Sequence, residues 1–255
     1  MLTITIVESN PRPMPPQATH FLREFAALAP DTAFRVIAPY DAPFVPAQLD
    51  GTDGVVFTGS SVDWGAGDVR AEPLAVAMRA AFAAGLPVFG SCNGMQLAAV
   101  VLGGACEASP RGREDGVAVA VTKTPQGRAH PLLAGRPDSF AVPCIHRDSV
   151  SRLPPGATLL AGNDHSPVQV FAQIGDGVDF MGCQYHPEFA PVWLADILRG
   201  RGADPALCDA LHDASERPAA AARLGIDGAD LAPAARVTEL RNWLAHVATR
   251  ARAAA

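Results

Sequence analysis

Apolar positions follow two different rhythms along this chain. Residues 2–7, LTITIV, form a β-rich run that stops at Glu8-Ser9-Asn10 and the proline-rich loop PRPMPP. From 17 to 29, Phe21, Leu22, Phe25 and Leu28 recur at spacings of three and four, which predicts a helix. Strand-like runs follow at 34–38 (FRVIA), 54–59 (GVVFTG) and 86–90 (LPVFG). An alanine-rich helix at 71–84, capped by Gly85, and a second helix at 94–102 lie among them. Strands alternating with helices of this length indicate βαβ units and a parallel sheet.

The rhythm changes after about residue 115. GVAVAVT (116–122), SFAVP (139–143), ATLLAG (157–162) and PVQVFAQ (167–173) have few helical interruptions, which predicts an antiparallel extension leading into VDFMGCQYHPE at 178–188. A helix is expected near 190–199, and then the chain turns rich in alanine and arginine. Val237, Leu240, Leu244 and Val247 share one helical face within 234–252. That face reads as a helix packed on the domain, with a partner-binding or lid element as the alternative. The expected division is residues 1–199 as a catalytic domain and 200–255 as a helical C-terminal extension.

Composition narrows the function classes. The chain is 49% hydrophobic and 18% charged, enough apolar material for a packed core. Its net charge of −6, with no basic cluster, points away from nucleic acid. No apolar run approaches the ~18 residues that would span a membrane. The N-terminus reads as a first strand and not as a signal peptide. Cys92, Cys106, Cys144, Cys183 and Cys208 are scattered without CxxC pairs, as expected of free thiols in a reducing cytoplasm and not of a zinc site.

The candidate chemistry centres on VFGSCNGMQLAAVVLGG, residues 88–104, where Cys92 stands between Gly90 and Gly94 at a strand-to-helix turn. Small neighbours let such a turn close and expose a nucleophile, and the helix N-terminus behind it favours a thiolate. The Asn93 amide would serve as one oxyanion donor. A thiolate of this kind needs a histidine held by a third group. His20, His130, His212 and His246 show no partner pattern and read as surface residues. His186 stands at a strand end with Glu188 two residues on. In an extended segment both side chains would share a face, leaving Glu188 to hold one ring nitrogen while the other meets the sulfur.

GSCNGMQLAAVVLGG together with GCQYHPE resembles the class I glutamine amidotransferases, and the CNGMQ elbow is particularly similar to the glutaminase domain of GMP synthetases. The resemblance spans about residues 1–195. It implies a doubly wound, flavodoxin-like α/β fold, with a mostly parallel sheet, an antiparallel extension and a C-terminal helical segment, and with catalytic Cys92, His186 and Glu188. FTGS at 57–60 is similar to the family's oxyanion loop, which makes Gly59 the second donor with Ser60 adjacent; TGSS departs from the common glycine-glycine-proline. GREDG (112–116) resembles a GMP-synthetase-type segment. IHRDSV (145–150) resembles the family's Ser-His-Gly-Asp stretch, with Ile145 and Arg147 in place of serine and glycine. By resemblance, Ser60, Gln96, His146, Arg147 and Asp148 are candidate substrate-binding residues.

The resemblance implies acyl transfer from a small-molecule substrate, glutamine or a γ-glutamyl compound, with no cofactor and no metal. The chain has no P-loop or dinucleotide fingerprint with which to activate an acceptor itself. Three readings stay open. The first is a glutaminase that passes ammonia to a separate synthetase subunit. The second is a standalone γ-glutamyl peptide or conjugate hydrolase with the same triad. The third is a catalytically idle binding module.

Overall fold

Alternation at period two sends Val55 and Phe57 to one face of a strand and Val56 to the other, and Val88 and Phe89 split in the same way. A sheet built so must be covered on both sides. The computed structural model describes residues 1–254 and shows that arrangement. The first half contains β1 (Thr3–Val7), α1 (Ala18–Leu28), β2 (Ala33–Ile37), β3 (Gly54–Phe57), α2 (Glu72–Ala83), β4 (Val88–Ser91) and α3 (Asn93–Val101). Next come β5 (Ala105–Ala108), β6 (Glu114–Lys123), α4 (Pro125–Ala129), β7 (Ser139–His146), β8 (Asp148–Arg152), β9 (Thr158–Gly162), β10 (Val170–Gly175) and β11 (Val178–Cys183). The chain continues with α5 (Pro191–Gly200), α6 (Pro205–Asp213), α7 (Pro218–Arg223), α8 (Pro233–Arg236) and α9 (Thr238–Ala254).

The main sheet has the order β2-β1-β3-β4-β11-β10-β9-β6-β7. Its first five strands run parallel; β10, β9, β6 and β7 extend it by antiparallel pairing. β5 and β8 form a separate two-stranded ribbon beside α3. The parallel half carries the doubly wound order, in which ligands sit beyond the C-terminal strand ends. α2 ends where predicted: Gly85 takes φ +66°, and the amides of Gly85 and Leu86 close back on Phe82 and Ala81.

One face of the sheet packs Ile4, Ile6, Val56 and Phe89 against Phe21 and Phe25 of α1 and against Leu240, Trp243 and Val247 of α9. Trp243 is fully buried, with ring centroids 6.2 Å from Phe25 and 5.9 Å from Phe89. The opposite face packs Val55, Phe57 and Val88 against Leu74, Met78, Met95 and Leu97. A third cluster joins Leu194 and Leu198 of α5 to Cys208 and Leu211 of α6, together with Ala221 and Leu231. Among the described residues no helix is long and apolar enough to cross a membrane.

Candidate active site

The turn at Cys92 is forced by its glycines. A Cβ on Gly90 would lie 2.6 Å from the Gly94 carbonyl carbon, and one on Gly94 would overlap the Phe57 carbonyl oxygen. The chain can therefore bend sharply from β4 into α3 only with glycine at both positions. Cys92 takes φ 48° and ψ −103°, a conformation that costs an L-residue roughly 1–3 kcal/mol. Its amide donates to the Cys183 carbonyl at 2.8 Å, which ties the elbow to β11. Asn93 opens α3, so its N–H belongs to the first-turn amides that have no acceptor within the helix.

His186 and Glu188 follow β11 in a turn and not in extended chain: the Phe189 amide closes on the His186 carbonyl at 3.1 Å. The turn achieves what the pleat was expected to do. His186 Nδ1 donates to Glu188 Oε1 at 2.7 Å, and the ring stacks on Phe189 with 4.0 Å between centroids. Ser91, which directly precedes the elbow cysteine, donates its hydroxyl to Glu188 Oε1 at 2.9 Å. His186 Nε2 is buried without a hydrogen-bond partner, and the His186 ring and Cys92 both line the cleft beside Gly59. Burial opposes a positive ring, but Glu188 and Cys92 outweigh it and raise the His186 pKa to about 10.

Gly59 lies against this pair. A Cβ there would stand 2.7 Å from His186 Cε1 and 3.7 Å from Cys92 Cβ. Gln184, which sequence reasoning missed, donates from Nε2 to the Cys92 sulfur at 3.6 Å and accepts from Gln96 Nε2 at 3.2 Å. Gln96 also donates to the Asp148 carbonyl at 2.7 Å.

The other expected substrate residues line the same cleft, a cavity of about 120 Å³ over Cys92. The Ser60 hydroxyl is committed to the Ser9 carbonyl at 2.8 Å. Arg147 and Asp148 clamp each other in a bidentate pair at 2.7 and 3.0 Å, and Arg147 Nη1 reaches the Asp63 carbonyl at 2.9 Å. His146 has both ring nitrogens engaged, with Glu114 at 2.8 Å and the Asp148 carbonyl at 3.1 Å, so it braces the wall of the cleft from behind. Trp64, Phe189, Trp193 and Ile197 supply apolar wall, and Arg113 and Arg201 join Arg147 as cations. Trp193, Ile197 and Arg201 recur every four residues from α5 into its C-cap. That helical face was visible in the sequence but without any link to the elbow.

His20 is not at the surface as expected. It is buried against Trp193, with centroids 3.8 Å apart, and against Phe189, and burial lowers its pKa to about 4. Glu114, His146 and His165 place ligand-type atoms within 4.8 Å of one another. The Glu114 carboxylate, however, already takes hydrogen bonds from His146, Asn163 and Gln169; burial pushes its pKa up, but the contacts with His146 and Asn163 outweigh that and hold it below the usual value. The cluster therefore reads as a hydrogen-bonded brace. All five cysteines are free thiols.

Residues 32–193, well over half the chain, match the family described as glutamine amidotransferase class-I. The chain belongs to the class I glutamine amidotransferases. Within that family it is 36% identical over 165 residues to a γ-glutamyl-L-1-hydroxyisopropylamide hydrolase from a Pseudomonas species, covering 62% of this chain and 54% of that protein. It is 32% identical over 162 residues to the glutamine-hydrolysing GMP synthase of Thermomicrobium roseum, covering 64% of this chain and 28% of that one. The chain thus spans about half or less of the length of these curated relatives. A solved glutamine amidotransferase from Thermotoga maritima superposes with a TM-score of 0.69 at 19% identity, over 96% of this chain and 97% of that one, which establishes the shared amidotransferase fold.

Proposed function

We propose that this class I amidotransferase hydrolyses the γ-glutamyl amide bond through a thioester on Cys92. The observation that carries the reading is the His186 ring, bound to Glu188 at 2.7 Å on one nitrogen, with the other nitrogen buried and unpartnered and the ring lying with Cys92 against Gly59. A positive imidazole beside the sulfur favours the thiolate, which attacks the γ-carbonyl carbon. The resulting oxyanion is taken by the amides at Gly59 and Asn93. His186 Nε2 gives its proton to the departing ammonia or amine as the C–N bond breaks. Neutral His186 then takes a proton from water as the oxygen attacks the thioester, releasing glutamate and the free thiol. Glu188, fixed by Ser91, keeps the ring in orientation throughout.

Glutamine is the simplest substrate of this chemistry, with ammonia passing to a synthetase that this chain does not contain. A second reading, the hydrolysis of larger γ-glutamyl conjugates, is favoured by the apolar wall of Trp193 and Ile197 and by similarity to the hydroxyisopropylamide hydrolase. The test is glutamate release from glutamine and from a panel of γ-glutamyl alkylamides and peptides, by wild type and Cys92→Ala. Turnover of glutamine that depends on Cys92 supports the first reading, and turnover of conjugates alone supports the second. Equal turnover by Cys92→Ala, or none on either substrate class together with no selective alkylation of Cys92 at neutral pH, overturns both.

A further inference from the structure

The turn Tyr185–Glu188 presents the catalytic histidine, and much of its bonding comes from elsewhere in the chain. The Tyr185 hydroxyl donates to Glu239 Oε1 at 2.9 Å, within α9. The Pro187 carbonyl accepts from Arg236 Nη1, at the end of α8. The Glu188 carbonyl accepts from Arg23 Nη2 at 3.1 Å, from α1. Attachment points at Tyr185, Pro187 and Glu188 thus bracket His186 along the chain. Two of them come from beyond residue 232.

Two of these attachments, those at Tyr185 and Pro187, are made by buried charges. Arg236 and Glu239 are 3% and 0% exposed. Glu239 is held in a bidentate pair by Arg136 at 2.9 and 2.9 Å, and Arg136 Nη2 also donates to the Arg236 carbonyl at 3.0 Å. Arg236 is paired in turn with Glu24 at 3.0 Å. Burying ion pairs costs desolvation that their attraction often only balances, so well-packed apolar residues would secure α9 to the core at least as well. Trp243, Leu240 and Val247 already do that. What the charges add is direction: Glu239 terminates on the Tyr185 hydroxyl and Arg236 on the Pro187 carbonyl.

We propose that Arg236 and Glu239 are positioning residues for the hydrolytic reaction, fixing the Tyr185–Glu188 turn so that His186 is held against Cys92. The inference rests on the Cys92–His186–Glu188 reading above. The C-terminal helices are then part of the catalytic apparatus, although none of their side chains reaches the sulfur. Loosening the turn displaces the imidazole by a fraction of an ångström, enough to cost one to two orders of magnitude in rate while the cleft that binds substrate stays in place.

The test compares wild type, Arg236→Met, Arg236→Lys and Tyr185→Phe on the better substrate from the panel, with the alkylation rate of Cys92 at pH 7 followed by peptide mass spectrometry. Tyr185→Phe removes only the oxygen that meets Glu239, and it leaves the Arg136–Glu239 pair intact. The expected result is a kcat lower by about 10- to 100-fold in Arg236→Met and by about 3- to 10-fold in Tyr185→Phe, with KM within about 3-fold. Arg236→Lys, which can still donate to the Pro187 carbonyl, recovers a large part of the loss. Cys92 alkylation slows in parallel, and this holds even if the true substrate is outside the panel. Wild-type kcat and alkylation rate in folded Tyr185→Phe, with Arg236→Lys no better than Arg236→Met, would overturn the proposal and leave these charges a role in stability alone. If wild-type Cys92 is neither required for hydrolysis nor selectively alkylated, the failure lies in the catalytic reading itself.

Discussion

Gly59→Ala isolates the alignment of the proposed catalytic pair, Cys92 and His186, from every other property of the site. Gly59 is outside the left-handed region, so alanine adds no backbone strain there, and the Gly59 amide remains available as an oxyanion donor. The new methyl would stand 2.7 Å from His186 Cε1, about 0.7 Å inside ordinary contact at 3.4 Å. The imidazole cannot retreat freely, because Phe189 stacks on its face at 4.0 Å and Glu188 holds Nδ1 at 2.7 Å. A displacement of 0.7 Å in a proton-transfer group costs on the order of 10²-fold in rate, or about 2.7 kcal/mol of transition-state stabilisation. The assay is glutamate release under saturating substrate, with thermal unfolding measured in parallel to show that the variant is folded. The loss is expected in kcat, with Tm lowered by only a few degrees. A folded Gly59→Ala enzyme with kcat within about 3-fold of wild type would refute the placement of His186 as the proton-transfer group beside Gly59.

Four further outcomes follow from contacts described above. Glu188→Gln removes the carboxylate that raises His186, so the alkaline limb of kcat/KM, expected near pH 10 in wild type, should move down by at least about one pH unit. The raised pKa also contributes stability that is complete below about 6.5 and lost as pH rises through about 10, and urea titrations in that window should show this contribution shrink in the variant. His20 has the opposite sign: its pKa is depressed to about 4, so it contributes stability present above 6.5 and lost as pH falls through 4, and His20→Phe should lose less Tm than wild type between pH 7 and 4.5. Trp243→Ala should cost about 3–5 kcal/mol in urea unfolding, because the ring is fully buried between α1 and the sheet.

Much of this molecule was legible because its signals are local. Each strand of the parallel half is a short apolar run ending in a polar or glycine turn, and α1, α2 and α3 carry their spacing on their faces. The elbow was legible because Gly90 and Gly94 are steric necessities. β5 and β8 were missed because ACEA has no fully buried residue and DSVSR buries two polar residues, Asp148 and Ser149, beside a lone Val150, so neither leaves an apolar signature; they pair with each other. The short helices α6, α7 and α8, each with proline in its first turn, lie in alanine-rich chain where periodicity says little. Long-range polar contacts left no trace at all. Nothing in the sequence pairs Arg136 with Glu239, turns His146 toward Glu114, or buries His20 beneath Phe189. Ser91 was one residue from the proposed nucleophile and still unread, because its partner lies 97 positions away.

The backbone at Cys92 makes folding and chemistry competitors for a single residue. At φ 48° and ψ −103° glycine is the residue that the turn itself prefers. Cys92→Gly should therefore fold more stably, by on the order of 1 kcal/mol, while losing the proposed nucleophile altogether. A library of this protein sorted by melting temperature alone would enrich the dead variant, and one sorted by turnover would discard it. Thermostabilising this protein calls for substitutions far from the elbow, such as at the exposed Val69 or Val45, with activity scored in the same round.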